Sequence, residues 1–373
     1  MKKYSVKNLR TALRIAFIPA FIACTLRFCV PVSAFLSSLA VDAFSLLVPV
    51  IQTQTQKTET VTEAELTADT LSVITESETK PSSGNYETPS DVLGFESEYL
   101  AAFSSSAVSG STAEVFFSTS GATDTVKGVS VKNTTATKKP DFEALINQGI
   151  SLEIPDKSEP LVLIFHTHTT ESYLLADNGV FYSDYQTRST DSSKNMVRVG
   201  DEICRALEEN GIGCIHDTAI YDESYEGAYA RSRESVKKYL EQYPSIQIIL
   251  DVHRDAIYYS DTERCKPTAV IDGKKAAQIM IITGAEEGYV TDFPDWEENL
   301  SFALAFQKTA QESFQGLMKP LYFCQRKYNM DLGKISLLFE MGTDANTLDE
   351  AMYSGYLAGM VLAQIINTAV SEN

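Results

Sequence analysis

The chain has 373 residues, enough for about two or three domains, and carries a net charge of −19. Because its lysines and arginines form no dense patch, this acidity argues against a nucleic-acid partner and is compatible with a soluble domain outside the cytoplasm. Six cysteines occur without a Cys-x-x-Cys pair, which argues against a cysteine-bound structural zinc ion. Four of them lie in the predicted folded part, where disulfides are expected if that part is exported: Cys204, Cys214, Cys265 and Cys324.

Residues 1–51 combine a basic start with a long apolar stretch. Lysines and arginines dominate the first 14 residues, whereas the first acidic residue is Asp42. This asymmetry predicts that the N-terminus stays in the cytoplasm and that the following segment crosses the membrane. The apolar stretch is long enough to span a bilayer, although a cleavable signal that ends near residues 32–34 is the alternative. We therefore predict a single-pass anchor with the rest of the chain outside the cytoplasm.

From residue 52 to residue 138 the chain is rich in threonine, serine and glutamate. Such a segment cannot bury enough apolar surface to offset the entropy lost on ordering, so we predict a disordered stalk. Two short apolar patches, 99–103 and 115–117, interrupt it and are expected to have no separate role. The main folded domain is predicted over residues 139–373, and it opens with a short amphipathic helix that ends at Gly149.

The order of predicted elements in this domain indicates an α/β fold. An apolar run at 161–165 predicts a buried strand, and helical spacing of apolar residues predicts helices at 195–210 and 225–243. Strands at 212–215 and 246–252 alternate with these helices, which predicts a twisted, mostly parallel or mixed sheet with helices on both faces. Beyond them, strands are predicted at 278–283 and 335–339, and helices at 296–314 and 347–370.

Side chains that can bind a divalent metal follow three of these strands. His166, His168 and Glu171 come after the first strand, His253 follows the third, and Glu340 ends the late strand. Open α/β sheets keep their active sites at the carboxyl ends of strands, so these side chains are expected to converge. Zinc in hydrolases commonly takes three protein ligands and leaves a position for water. We predict that His168, Glu171 and His253 bind zinc. Glu340 is then the general base.

The other two histidines receive different interpretations. His166 and His168 are two residues apart at a strand end and point to the same side, so His166 is an alternative ligand. His216 lacks a comparable set of ligands nearby and is interpreted as structural. The sequence therefore leaves open which of His166 and His168 binds the metal.

Charged residues flank His253 in the segment 251–255. Asp251 or Asp255 can hold a ligand imidazole in the tautomer that binds a metal. Arg254 can pair with a substrate carboxylate or with Asp255 itself. An arginine–aspartate pair that only fixes the loop is the structural alternative.

Six short motifs follow one another between residue 140 and the end of the chain. They are His166-Thr167-His168-Thr169-Thr170-Glu171-Ser172-Tyr173, Asp251-Val252-His253-Arg254-Asp255, Tyr328-Asn329, Leu338-Phe339-Glu340-Met341-Gly342, Asn346-Thr347 and Glu350-Ala351. Each motif is weak alone, but the ordered set resembles the stage II sporulation protein P family of peptidoglycan hydrolases.

The resemblance implies a zinc-dependent N-acetylmuramoyl-L-alanine amidase-like fold. It further implies cleavage of the amide between the muramic acid lactyl group and L-alanine, with D,D-endopeptidase activity on cross-links as a second activity. The expected place of action is the septal peptidoglycan during engulfment in an endospore former. Stage II sporulation proteins D and M are the implied partners, and the N-terminal segment is the implied membrane contact.

The resemblance also bears on individual site residues. It marks Tyr328 and Asn329 as positions near the substrate. In the broader amidases the carboxylate ligand lies near the start of the first long helix, where residues 194–196 hold no acid, so Asp191 is the alternative to Glu171. A non-catalytic wall-binding scaffold is the alternative function. A serine hydrolase built on Ser172 is disfavoured because no Gly-x-Ser-x-Gly motif occurs.

Overall fold

The structure, a computed structural model, describes residues 86–371, which contain six helices and thirteen strands. The helices are α1 (Ser90–Phe103), α2 (Phe142–Gln148), α3 (Met196–Glu209), α4 (Ala228–Gln242), α5 (Trp296–Ser313) and α6 (Leu348–Ser371). The strands are β1 (Gly110–Val115), β2 (Asp124–Val126), β3 (Val129–Asn133), β4 (Pro160–Phe165), β5 (Val180–Phe181), β6 (Gly213–His216), β7 (Ile248–Asp255), β8 (Tyr258–Ser260), β9 (Glu263–Ile271), β10 (Lys274–Ala277), β11 (Ile279–Gly284), β12 (Leu321–Cys324) and β13 (Ile335–Thr343).

Eight strands form the main sheet in the order β2-β3-β12-β11-β13-β7-β4-β6. Strands β6, β4, β7 and β13 run parallel to one another, whereas β11 is antiparallel to β13, so the sheet is mixed. Strand β4 is paired on both edges, which suits its uninterrupted apolar sequence. The predicted α/β class with a mixed sheet is confirmed.

Helices cover both faces of the main sheet, as the side chains of β4 show. Val162 and Ile164 point into the large core that contains residues of α3, α5 and α6. Leu163 and Phe165, which alternate with them, pack instead in a second cluster with Val236 of α4. Successive side chains of a strand point to opposite faces, so β4 is buried from both sides.

Two glycines let α6 lie close against α3. A Cβ atom on Gly355 would come within 2.7 Å of the carbonyl oxygen of Val199. A Cβ atom on Gly359 would come within 2.6 Å of the carbonyl oxygen of Ile203. The backbones therefore approach each other as only glycine allows. A disulfide between Cys204 and Cys214 also ties α3 to the edge strand β6.

The fold begins well before the predicted boundary at residue 139, which corrects the predicted stalk over part of its length. Residues 86–138 contain α1 and strands β1 to β3, and β1 pairs with β9 in a second sheet, ordered β10-β9-β1-β5. Tyr99 of α1 is 3% exposed and packs edge-on against Tyr185, with ring centroids 4.9 Å apart. Distant residues supply this buried surface, so local composition underestimates it.

The predicted anchor and the first part of the predicted stalk, residues 1–85, lie outside the described residues. Between residues 86 and 371 no helix combines the length and the apolar character needed to cross a bilayer. The membrane-anchor prediction therefore stays a prediction.

Candidate metal centre

The carboxyl ends of β4, β7 and β13 bring the predicted site residues together. In the parallel pairing of β13 with β7, Glu340 lies directly opposite His253. In the pairing of β4 with β7, Phe165 lies opposite Asp251, so the turn after β4 runs beside His253. The His168 and His253 rings meet edge to face, with centroids 5.3 Å apart. Three separate pieces of backbone thus contribute to one pocket.

Glu171 reaches the same pocket from the turn after β4. Its Oε2 atom is 3.5 Å from Nδ1 of His253 and accepts a hydrogen bond of 3.1 Å from the backbone N–H of Arg254. Two donors on one tetrahedral zinc ion, each at about 2.0–2.1 Å, are about 3.3 Å apart. Burial opposes the charge of Glu171, but contact with His253 and the charge of Arg254 lower its pKa to about 2. Glu171 is therefore ionised, as a metal ligand must be.

Asp251 lies behind His253 and fixes the turn that carries His168. Its carboxylate accepts hydrogen bonds from the backbone N–H and the hydroxyl of Thr167, at 2.8 and 2.7 Å. Its Oδ1 atom is also 2.7 Å from Nε2 of His253. Burial opposes the charge of His253, but the carboxylates of Asp251 and Glu171 raise its pKa well above the usual value. A carboxylate behind an imidazole is the usual second partner of a metal-binding histidine.

Two buried polar atoms in the pocket make no hydrogen bond within the described part of the chain. They are Nδ1 of His168 and Oε2 of Glu340, whereas Nε2 of His253 faces the Asp251 carboxylate. Buried polar atoms are nearly always paired, so two such atoms in one pocket indicate a ligand that completes the site. Imidazole nitrogen and carboxylate oxygen are common zinc donors. The donor set of His168, Glu171 and His253 therefore fits zinc.

Glu340 has the environment of a proton acceptor beside that donor set. Burial raises its pKa, and the neighbouring Asp255 raises it further, against the lowering effect of His253. A divalent cation in the pocket would lower this pKa toward the range of a general base. Asp255 itself lies 3.5 Å from Nζ of Lys319 and does not touch a ligand imidazole in any contact that the structure shows.

His166 belongs to a different arrangement from His168. Its Nδ1 atom donates to the carbonyl oxygen of Val252 at 2.7 Å, and its Nε2 atom lies 2.9 Å from Nε2 of His216. His216 in turn places Nδ1 2.9 Å from Asp201. Burial and the neighbouring His216 lower the pKa of His166 to about 3. Both ring nitrogens of His166 are engaged, which favours His168 as the ligand and agrees with a structural role for His216.

Arg254 is buried and bonded to the backbone. It is 8% exposed, and it donates from Nε to the carbonyl of Ser172 at 3.1 Å and from Nη2 to the carbonyl of Thr187 at 2.7 Å. Its contact with Asp255 is a long one, to the carbonyl oxygen and not to the carboxylate. Among the described residues Arg254 thus contacts Asp255 only through this carbonyl oxygen, and its pairing with a substrate carboxylate stays a prediction. The arginine holds the segments on both sides of the pocket.

Two further predicted residues have separate roles. Asn329 is buried and donates to the carbonyl of Tyr229 and to the hydroxyl of Ser232, so it positions a loop. Tyr328 is partly exposed and stacks on Tyr229, with centroids 5.2 Å apart.

Asp191, the alternative carboxylate ligand, lies in an exposed turn. It accepts hydrogen bonds from Ser193 within that turn, which favours Glu171 as the carboxylate ligand.

The structure adds four pocket residues that sequence reasoning missed: Arg188, Asp222, Tyr225 and Tyr229. Asp222 is fully buried, accepts hydrogen bonds from the N–H and hydroxyl of Thr170, and lies 3.8 Å from Nδ1 of His168. The ring of Tyr225 stacks parallel to that of His168 at 4.6 Å. Arg188 and Asp222 lie in irregular loops, where apolar periodicity gives no signal. Neither residue adjoins a predicted helix or strand, so the sequence contains no local signal for its place in the pocket.

A second group of acids, Glu114, Asp177 and Glu350, also has its oxygens within metal-binding range of one another. The space between them is taken by Nζ of Lys266, at 3.1, 2.6 and 2.7 Å from the three carboxylates. Lys266 is fully buried, so its ammonium group supplies the countercharge. The group is an ion-pair network that joins β1, β9 and α6, and it is not a metal site.

The fold and the pocket define a mixed α/β protein with a histidine and carboxylate centre at the carboxyl ends of its strands. A family model described as stage II sporulation protein P matches residues 52–367. The chain belongs to the stage II sporulation protein P family, which confirms the resemblance seen in its motifs.

One relative and two solved structures show how similar this chain is to individual proteins. Stage II sporulation protein P of Bacillus subtilis (strain 168) is 31% identical over 225 residues, which cover 57% of this chain and 53% of the relative. The match thus spans about half the length of that relative. N-acetylmuramoyl-L-alanine amidase AmiC2 of Nostoc punctiforme is 12% identical, with a TM-score of 0.34, over 57% of this chain and 97% of its own. Ami1 of Mycobacterium abscessus, an N-acetylmuramyl-L-alanine amidase, is 14% identical, with a TM-score of 0.33. The match covers 57% of this chain and 98% of Ami1.

Proposed function

We propose that this chain is a membrane-anchored, zinc-dependent peptidoglycan hydrolase of the sporulation septum. Its proposed reaction is hydrolysis of the amide between the muramic acid lactyl group and L-alanine. The observation that carries the proposal is the pocket at the ends of β4, β7 and β13, where His168, Glu171, His253 and Glu340 converge and two buried polar atoms lack partners. Family membership supports the sporulation context.

The chemistry follows from the side chains present. His168, Glu171 and His253 would hold zinc, which when bound supplies a polarising positive charge and an acidified water molecule. Glu340 accepts the proton of the attacking water and returns it to the nitrogen of the leaving amine, because it lies opposite His253 on the same sheet. Asp251 keeps the His253 ring in place throughout.

Three finer features belong to the same proposal. Cleavage of D,D cross-links is proposed as a second activity, because one carbonyl-polarising centre suits either amide. The anchor in residues 1–51 would keep the pocket at the outer membrane face, and the Cys204–Cys214 disulfide supports a location outside the reducing cytoplasm. Stage II sporulation proteins D and M are the proposed partners, to be tested by co-purification with the full chain.

The test uses the full chain in detergent with defined peptidoglycan, followed by mass analysis of the released fragments. The expected products are stem peptides with a free amine on L-alanine and glycan strands with a free lactyl carboxylate. Chelation should stop release, and added zinc should restore it. A natively purified chain that holds zinc but releases no fragment would favour the non-catalytic scaffold, and release that survives chelation would exclude the zinc mechanism.

A further inference from the structure

Arg188 emerges from a fixed place beside the pocket. Residue 188 forms an antiparallel bridge with Glu171, one of the three proposed ligands. The preceding residue, Thr187, is held by its carbonyl oxygen, which accepts hydrogen bonds from Nη2 of Arg254 at 2.7 Å and from the N–H of Ser172 at 3.1 Å. The base of the Arg188 side chain is therefore anchored next to the metal centre.

The guanidinium of Arg188 is bonded on its buried side. Nη1 donates to Asp222 at 2.8 Å and to the hydroxyl of Thr170 at 3.2 Å, and Nη2 donates to Glu171 at 3.2 Å. Between residues 86 and 371 the structure gives Nε of Arg188 no hydrogen-bond partner. The side chain is 42% exposed, whereas its two carboxylate partners are buried. The protein thus engages the terminal nitrogens, and part of the side chain remains open to the solvent.

Guanidinium chemistry determines what this exposed edge can recognise. Arginine carries five N–H donors in a rigid planar fork that matches the two oxygens of a carboxylate. The buried contacts use the terminal nitrogens, which leaves the Nε–H to pair with an incoming anion. Such charge-assisted hydrogen bonds are about twice as strong as those between neutral groups.

Two other cations beside the pocket are not accessible in this way. Arg254 is buried against backbone carbonyls, and Lys319 is buried beside Asp255. By contrast, the ring of Tyr225 is 66% exposed and stacks on the ligand His168, and the Arg188 guanidinium lies 5.6 Å from the same ring. Tyr225 therefore lies between the ligand His168, on which it stacks, and the exposed guanidinium of Arg188.

We propose that Arg188 binds a carboxylate of the substrate and so sets the preference for an anionic stem peptide. The preferred substrate is one with a free carboxylate on the residue that follows L-alanine, rather than one in which that group is a neutral amide. The inference rests on the proposed function, because it assumes that the scissile amide sits at the metal centre.

The experiment compares two synthetic muropeptides that differ only in this carboxylate or amide. Rates with the full zinc-loaded chain give kcat and KM for the wild type, Arg188→Gln, Arg188→Lys and Lys308→Gln. Lys308 is an exposed cation of α5 that pairs with Glu312, so its variant is the matched control. We expect the wild type to favour the carboxylate form by roughly 10- to 100-fold in kcat/KM, mainly through KM. Arg188→Gln should bring the ratio to about one, Arg188→Lys should keep part of it, and Lys308→Gln should leave it unchanged.

Equal rates of the wild type on both peptides would overturn the role of Arg188 and leave the hydrolase proposal standing. An unchanged ratio in a zinc-loaded Arg188→Gln variant would overturn it as well. Zinc content is measured for every variant, since Arg188 also touches Glu171, and the wild-type ratio decides alone if the variants do not fold. If the wild type cleaves neither peptide, the proposed function fails. Equilibrium binding of the two peptides then tests Arg188 separately, with tighter binding of the carboxylate form as the expected result.

Discussion

His166 and His168 are two residues apart at the end of one strand, yet they lie in opposite environments. Both ring nitrogens of His166 are engaged, by the Val252 carbonyl and by His216, and the ring is held neutral. His168 has a buried nitrogen without a hydrogen-bond partner and meets the ring of His253. The same residue type therefore has a structural role at position 166 and is available to bind a ligand at position 168.

The difference lies in which groups each ring faces. His166 and His216 form a closed set with a carbonyl and Asp201, in which every ring nitrogen has a partner. The pocket of His168 and His253 has carboxylates nearby but leaves polar atoms unpaired. An imidazole whose hydrogen bonds are complete has no lone pair for a metal, whereas an incomplete buried set gains much from binding one.

The largest expected effect separates the two histidine sets directly. His253→Ala removes a ligand, so bound zinc should fall from one per chain to near zero and hydrolysis should fall by more than the roughly 100-fold cost of losing an outer partner. His216→Ala, the matched change in the closed set, should keep zinc and most activity. It should lower the free energy of unfolding by about 1–3 kcal/mol, because it leaves Nε2 of His166 unpaired. If the His216→Ala variant lost its zinc and the His253→Ala variant kept it, the assignment of the metal to the His168–His253 set would be reversed.

A second change separates holding the metal from using it. Glu340→Gln preserves shape but removes the proton acceptor, so turnover should fall by about 10²- to 10⁴-fold while zinc content stays at the wild-type level. Metal analysis and rates on the same preparation check both parts. Loss of zinc would make Glu340 a ligand, and unchanged turnover would exclude it as the base.

The acids Glu114, Asp177 and Glu350 form a third polar cluster, and the ammonium group of Lys266 supplies its positive charge. Lys266→Met leaves the buried Glu350 without a countercharge, so the free energy of unfolding should fall by about 3–5 kcal/mol. Lys275 contacts Glu114 and Asp177 of the same group from an exposed position, so Lys275→Met should cost only about 0–1 kcal/mol. Denaturant unfolding measures both. If both variants lost the same free energy of unfolding, the burial of Lys266 would make no difference to the strength of its ion pairs.

The smallest effect concerns the protonation of the two sets in the metal-free chain. The pKa of His166 falls from 6.5 to about 3, so its contribution to stability is present above pH 6.5 and is lost as the pH falls toward 3. The pKa of His253 is raised, so its contribution is present below pH 6.5 and is lost as the pH rises through the raised value. NMR of the imidazole rings should show His166 neutral and His253 charged near pH 6.5. Ordinary titration of both rings near that pH would contradict the two environments.

Much of the fold was predictable because its strongest signals are local. The apolar run of β4, the helical spacing of α3 and the late apolar strand β13 all appear near their predicted places, although β13 extends to Thr343. The early part was not predictable, since Tyr99 is buried by residues more than 80 positions away in the chain, such as Tyr182 and Tyr185. Composition reports only what a segment could bury by itself.

The site was predictable to the same degree. Strand ends indicated His168, His253 and Glu340, because parallel strands gather their carboxyl ends. The choice between His166 and His168 needed the position of His216, and the reachable arginine needed the loop that carries Arg188. Both depend on contacts between distant segments, which residue spacing does not report.

The most direct test of the metal centre is a crystal of the zinc-loaded chain measured on both sides of the zinc absorption edge. We expect one anomalous peak per chain, bounded by His168, Glu171 and His253, with Glu340 beside it and no peak between His166 and His216. A peak at the His166–His216 pair, or none in the pocket of a fully zinc-loaded chain, would contradict it.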